Sequence, residues 1–331
     1  MNVNEHELHA HRFFDGLEDE HLDLLRRIAR WERFSDGEFL FEQGDPASSA
    51  YFLFAGNVEV RAQGPGGNEL LLAKLVPGEV LGELSLINQH RRSATAVAQG
   101  ELVVLAIERS DLAALCAHYH PISLQILHRL AQLLACRIHR NHHNHAGSAL
   151  TRPRKRGDLS EATTDCAGAP FNIRPFLPQL AFFRQFTDRD IDGFVELCSL
   201  WTFPRSQVIT SPLDGKRSCF VVVRGAVEAV VHRDSTSFRT AVLGPGTLFG
   251  ELAWLLQKSS GAEIYSLESC TLLELPRENL WGLLDPNRHL SFRFHESLVR
   301  SLMTSLCTQT RALARTQQRQ LAHVEVWSTG G

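Results

Sequence analysis

The chain repeats itself. Gly56-x-Val58-Glu59 returns as Gly225-x-Val227-Glu228, an offset of 169 residues, and Phe13-Phe14 returns as Phe182-Phe183 at the same offset. Pro77-Gly78 returns as Pro245-Gly246, and Gly82-Glu83-Leu84 as Gly250-Glu251-Leu252, both at 168. One residue is lost between the glycine and the proline-glycine turn, where a hairpin loop absorbs it. Self-similarity at a fixed offset means two homologous units in tandem. That division suits 331 residues, a length beyond which single cores stop growing.

Each unit has one layout. A helical opening such as EDEHLDLLRRIARW places Leu22, Leu25 and Ile28 on one face. Short β-like runs follow, broken by GDP, GPGGN and VPGE turn signals. Many short strands at such spacing predict a mainly β fold with flanking helices. The expected architecture is two tandem jelly-roll (double-stranded β-helix) domains, each closed by a C-terminal helix. The expected boundaries are 1–145 for the first domain and 171–331 for the second. Between them, 146–170 is rich in small and charged residues without apolar period and reads as a flexible linker. Its Arg152, Arg154, Lys155 and Arg156 read as a solvated charge cluster.

Several function classes are set aside by what the chain carries. A net charge of −3 gives no global pull toward nucleic acid or an anionic membrane, so neither partner is expected. No signal-peptide core and no window of 18 apolar residues is present, so a cytoplasmic location is expected. Seven scattered cysteines form no CxxC pair, and the run HRNHHNH, with His139 and His143 four apart, has no acidic companion; no metal is expected. The predicted strands lack the H-x-H of metal-holding jelly rolls, so no enzyme activity is expected.

The chemistry concentrates in GELSLINQHRRSATA, residues 82–96. A turn opening on Gly82 lets backbone N–H groups face a small anion without a β-carbon in the way. Arg92 offers a planar set of donors suited to phosphate oxygens, and Ser93 a hydroxyl beside it. Glu83 would repel an anion unless the ligand also donates a hydroxyl, as a ribose 2′-OH does. Gly82-Glu83-Leu84-Ser85-Leu86 followed by Arg92-Ser93-Ala94-Thr95 resembles the phosphate-binding cassette of cyclic nucleotide-binding domains, the family of catabolite activator proteins and of regulatory subunits of cyclic AMP-dependent kinase. The resemblance implies a ligand site of Gly82, Glu83, Leu84, Ser85, Arg92, Ser93 and Ala94, with Glu83 on the ribose and Arg92 on the cyclic phosphate. Arg91 stands where many members carry proline.

The second cassette keeps Gly250, Glu251 and Leu252 but has Ser260 where the repeat places Arg92. Lys258 cannot reproduce the planar clamp, and Glu263, in place of Thr95, is expected to bring negative charge near the pocket. The fold is expected to survive there and ordinary nucleotide binding to be lost.

The resulting expectation is a receptor that binds cyclic AMP, or cyclic GMP, in its first domain and signals to an effector protein by helix and domain rearrangement. The rival readings are an interaction scaffold with both sites silent, or a DNA-binding regulator, for which the chain shows no helix-turn-helix reader. Apolar stripes on the closing helices (Leu124, Leu127, Leu130, Leu134; Leu298, Leu302, Leu306) suit either homodimerisation or packing within the chain.

Overall fold

A computed structural model describes residues 8–63, 69–86, 91–117, 121–145, 172–212, 217–233, 236–259 and 261–328, without the side chains of 84, 116, 142–145, 233, 236, 238 and 310–328. The expected linker, Ser260 and the side chains of Leu84 and His143 lie outside the described residues. The chain divides into two compact units, Met1–Ser123 and Leu124–Gly331.

In the first unit, helix α1 (Asp19–Ile28) buries Leu22 and Leu25. Asp19 and Glu20 in its first turn and Arg26 and Arg27 in its last complement the helix dipole. Strands β1 (Ala29–Phe34), β2 (Phe39–Phe41), β3 (Ser49–Gln63), β4 (Glu69–Leu75), β5 (Val80–Leu81) and β6 (Thr95–Glu108) make one sheet in the order β1-β6-β3-β4, with β2 on β6 and β5 on β3. Helix α2 (Arg109–Ala117) follows. Helix α3 (Pro121–His145) starts in the first unit and from Leu124 onward belongs to the second.

The second unit continues with α4 (Asp188–Glu196), whose Thr187 and Asp190 form a reciprocal capping box, and with β7 (Ser199–Phe203) and β8 (Val208–Thr210). Strands β9 (Cys219–Arg224), β10 (Val227–Arg233), β11 (Thr236–Leu243) and β12 (Leu248–Phe249) lead to helix α5 (Glu251–Leu255). Then come β13 (Ala262–Ser266), β14 (Cys270–Leu275), α6 (Arg277–Leu280) and the long α7 (His289–Ser328). Two sheets result, β11-β10-β13-β8 and β12-β9-β14-β7. The mainly β class and the tandem arrangement agree with the sequence pattern, and no sheet closes into a barrel among the described strands.

The repeat is visible in the pairing. Phe41 on β2 faces Ala96 on β6, and their counterparts Thr210 on β8 and Ile264 on β13 face each other in the second unit. Gly56 (φ 79°) bends β3, and its equivalent Gly225 (φ 81°) separates β9 from β10. A β-carbon at either would collide with a carbonyl oxygen, of Glu101 or of Ser269, so only glycine permits the two strands to approach.

Each unit has its own core. Leu53, Val58, Ala96 and Val104 centre one cluster; Val222, Val227, Ile264 and Leu272 centre the other. The stripe residues of α3 (Leu124, Leu127, Leu130, Leu134) and α7 (Leu298, Leu302, Leu306) are all buried within the single chain. No helix among the described residues is long and apolar enough to cross a membrane.

Candidate ligand site in the first unit

The cassette begins as β5 ends. Gly82 takes φ 72°, in the left-handed region, and Glu83–Leu86 form one 3-10 turn. Arg92 re-enters from the other side and is fixed by its backbone: its N–H donates to Asp45 O (2.8 Å), and its carbonyl accepts from Gly44 N–H (2.9 Å). The Gly44-Asp45 turn thereby sets where the arginine side chain starts.

That side chain folds inward and is 7% exposed. Nη2 donates to the Ser49 carbonyl (2.9 Å), Nη1 approaches Ser85 Oγ (3.4 Å), and the guanidinium carbon lies 3.9 Å over the centre of the Phe41 ring. Ser85 Oγ in turn donates to the Ser49 carbonyl (2.6 Å) and also approaches the Gly82 carbonyl. A β-carbon on Gly82 would overlap Arg92 Nη1, so any other residue here would displace the guanidinium as well as strain the backbone. Arg92 Nε is buried and has no hydrogen-bond partner among the described residues. Burial lowers the Arg92 pKa, opposed by the charges of Tyr51, Glu83, Asp45 and Glu108.

Of the other residues singled out from the sequence, Glu83 is buried at 4% exposure, Ala94 is buried, and Ser93 is exposed beside Arg92. Gly82, Glu83, Ser85 and Arg92 thus converge on one buried turn. Phe41 and the Ser49 carbonyl were invisible to motif reading: a cross-strand ring and a backbone oxygen leave no local spacing signal.

The second cassette has the same backbone and a different interior. Gly250 (φ 88°) precedes α5, and a β-carbon on it would strike the Ser218 carbonyl. Glu251 is buried and its Oε2 makes no hydrogen bond; burial pushes its carboxyl up to about 7. Leu252 is buried as well. Glu263 corrects the sequence expectation. Strand alternation puts Ala262 and Ile264 in the core, so Glu263 faces the other side of β13, where it binds His232 Nε2 (2.7 Å) and accepts from the Tyr265 hydroxyl. It is not a charge in the cassette.

The comparisons with known proteins fall on the same two segments. The family model described as "Cyclic nucleotide-binding domain" matches residues 31–119 and 200–287, together more than half of the chain. The chain belongs to the cyclic nucleotide-binding domain family. It is 38% identical over 125 residues to the "Cyclic AMP receptor protein" of Thermus thermophilus, covering 38% of this chain and 56% of that protein. It is 28% identical over 111 residues to the "cAMP-dependent protein kinase regulatory subunit" of Dictyostelium discoideum, covering 29% of this chain and 34% of that one. The chain thus spans little more than half the length of the first of these relatives and about a third of the second. Among solved structures, the regulatory domain of Toxoplasma gondii PKA with cAMP aligns over 84% of this chain and 89% of its own, at 14% identity and a TM-score of 0.32. The two matched segments of this chain are cyclic nucleotide-binding domains.

Proposed function

We propose that the protein is a cytoplasmic receptor that binds cyclic AMP in its first unit and performs no catalysis. The observation that carries this reading is Arg92. A guanidinium buried at the mouth of a glycine turn, with an unused Nε–H and a buried carboxylate nearby, suits a ligand that joins an anion to a hydroxyl donor. In this reading Gly82, Leu84, Ser93 and Ala94 complete the phosphate cradle, Ser85 supports it from behind, and Glu83 accepts from the ribose. Cyclic AMP is preferred over cyclic GMP on the names of the relatives.

The second unit, with Ser260 for arginine and one buried Glu251 oxygen unpartnered among the described residues, keeps the fold and has lost this ligand. As functional domains we propose 1–145, the linker 146–170, and 171–331, each closing helix being counted with the β-unit it follows. Binding in the first cassette changes how α3 is held and so what the chain presents to an effector protein.

Calorimetric titration with cyclic AMP and cyclic GMP tests the reading. One site per chain is expected. Arg92→Ala should weaken it by about 100-fold or more, since two charged hydrogen bonds are worth roughly 1.5–3 kcal/mol each. Two equivalent sites would overturn the account of the second unit, and absence of binding would overturn the receptor.

A further inference from the structure

The two cassettes differ at more than the arginine. Three residues hold the Arg92 guanidinium from within the chain: the Phe41 ring beneath it, Ser85 Oγ at its Nη1 and the Ser49 carbonyl at its Nη2. At the repeat offsets of 169 and 168, Phe41 corresponds to Thr210, Ser85 to Ala253 and Arg92 to Ser260. The strand registers confirm the first equivalence, because Phe41 and Thr210 occupy the same pairing position opposite Ala96 and Ile264. Where the guanidinium is gone, the nearer ring and the hydroxyl are gone too, while Tyr51, whose ring centre lies 5.7 Å from the guanidinium carbon, keeps an aromatic counterpart in Phe220. The parts that serve the turn itself persist: Gly250 keeps its positive φ, and the Ser218 carbonyl still lies against it.

We propose that Phe41 and Ser85 are positioning residues whose side chains act on the ligand only through Arg92, holding its guanidinium preorganised for an anion. The inference rests on the reading that the first unit binds a cyclic nucleotide. The donor count gives the mechanism. A guanidinium has five N–H groups; one on Nη2 is committed to Ser49 O and one on Nη1 is directed at Ser85 Oγ. Nε–H, which has no partner among the described residues, and the second hydrogen of each terminal nitrogen, which no described hydrogen bond uses, are left for the ligand. The Phe41 ring backs the group on one side, and the two oxygens anchor two of its nitrogens. An arginine free to rotate would lose that freedom on binding, at a cost in affinity; one already held does not.

The test is a set of affinities for cyclic AMP, measured calorimetrically on the full chain. Phe41→Leu, which keeps bulk and removes the π face, should weaken binding about 5- to 20-fold. Ser85→Ala should weaken it about 3- to 10-fold, and Phe41→Tyr, which keeps the face, should bind as the parent does. In an Arg92→Lys background, whose ammonium cannot lie flat on a ring, Phe41→Leu and Ser85→Ala should each change affinity less than about twofold. Equal losses in both backgrounds, or parental affinity in both single variants, would overturn the proposal. Should Phe41→Leu fail to fold, Ser85→Ala in the two backgrounds decides the matter alone. A parent chain that binds no cyclic nucleotide overturns the receptor reading instead, which keeps the two failures apart.

Discussion

At the scale of single residues, the two units bury opposite charges with opposite provision. Arg92 enters the first interior with two rings and two oxygens around it. Glu251 enters the second with an oxygen that has no partner, and its carboxyl is raised from 4.5 to about 7 by burial. A carboxyl whose pKa is higher folded than unfolded stabilises the fold while protonated. That contribution is complete below pH 4.5 and is lost as pH rises through about 7. Glu251→Gln removes the ionisation. The variant should therefore gain stability over the parent as pH rises from 4.5 to 8, by at most roughly 3 kcal/mol from the shift. Thermal unfolding of both chains across that range measures it; a constant difference at every pH would show that Glu251 does not titrate as its burial implies.

At the scale of elements, helices α3 and α7 meet through a pair of neutral histidines. His295 Nδ1 donates to the Ser291 carbonyl (2.9 Å), which leaves its Nε2 to accept from His128 Nδ1 at 3.1 Å. The Trp254 ring of α5 stands edge-on to His128, with centroids 5.7 Å apart. Burial lowers His128 to about 4, assisted by Arg129, and His295 to about 3, assisted by His128. The unfolded chain takes up these protons near 6.5 and the folded chain resists them. The sign is thus opposite to that of Glu251: stability is complete above pH 6.5 and falls as pH drops toward about 3. Replacing both histidines by leucine should flatten that acid limb of the melting profile, by several kcal/mol on the order of 1.4 per pKa unit. An unchanged acid limb would place the sensitivity elsewhere. The apolar stripes of these helices were legible in the sequence because a period of 3.6 leaves a pattern. The histidine pair was not, since residues 128 and 295 meet only through the fold.

At the scale of the whole molecule, duplication is what made the chain readable. Offsets of 169 and 168 reveal two units, their bend glycines and their cassettes without any coordinates. Side-chain direction on a strand was less legible, and Glu263 shows why. One position decides which face a residue takes, and the sequence placed this carboxylate by its nearness to the cassette when the core residues on either side of it turn it away. Duplication also supplies an experiment. If the second unit lost its ligand only through the arginine, Ser260→Arg should restore an anion site. If the guanidinium needs its support, the single change should fail. The triple change Thr210→Phe, Ala253→Ser, Ser260→Arg should then succeed, because the Ser218 carbonyl and the Gly250 turn are still in place to receive it. Titration of the triple variant with cyclic AMP should resolve two sites per chain, against one for the parent and one for Ser260→Arg alone. Restoration by the single change would mean that an arginine needs no prepared seat in this fold. Failure of the triple change, in a chain that still melts cooperatively, would assign the loss to the rest of the second interior, where Glu251 is the first residue to replace.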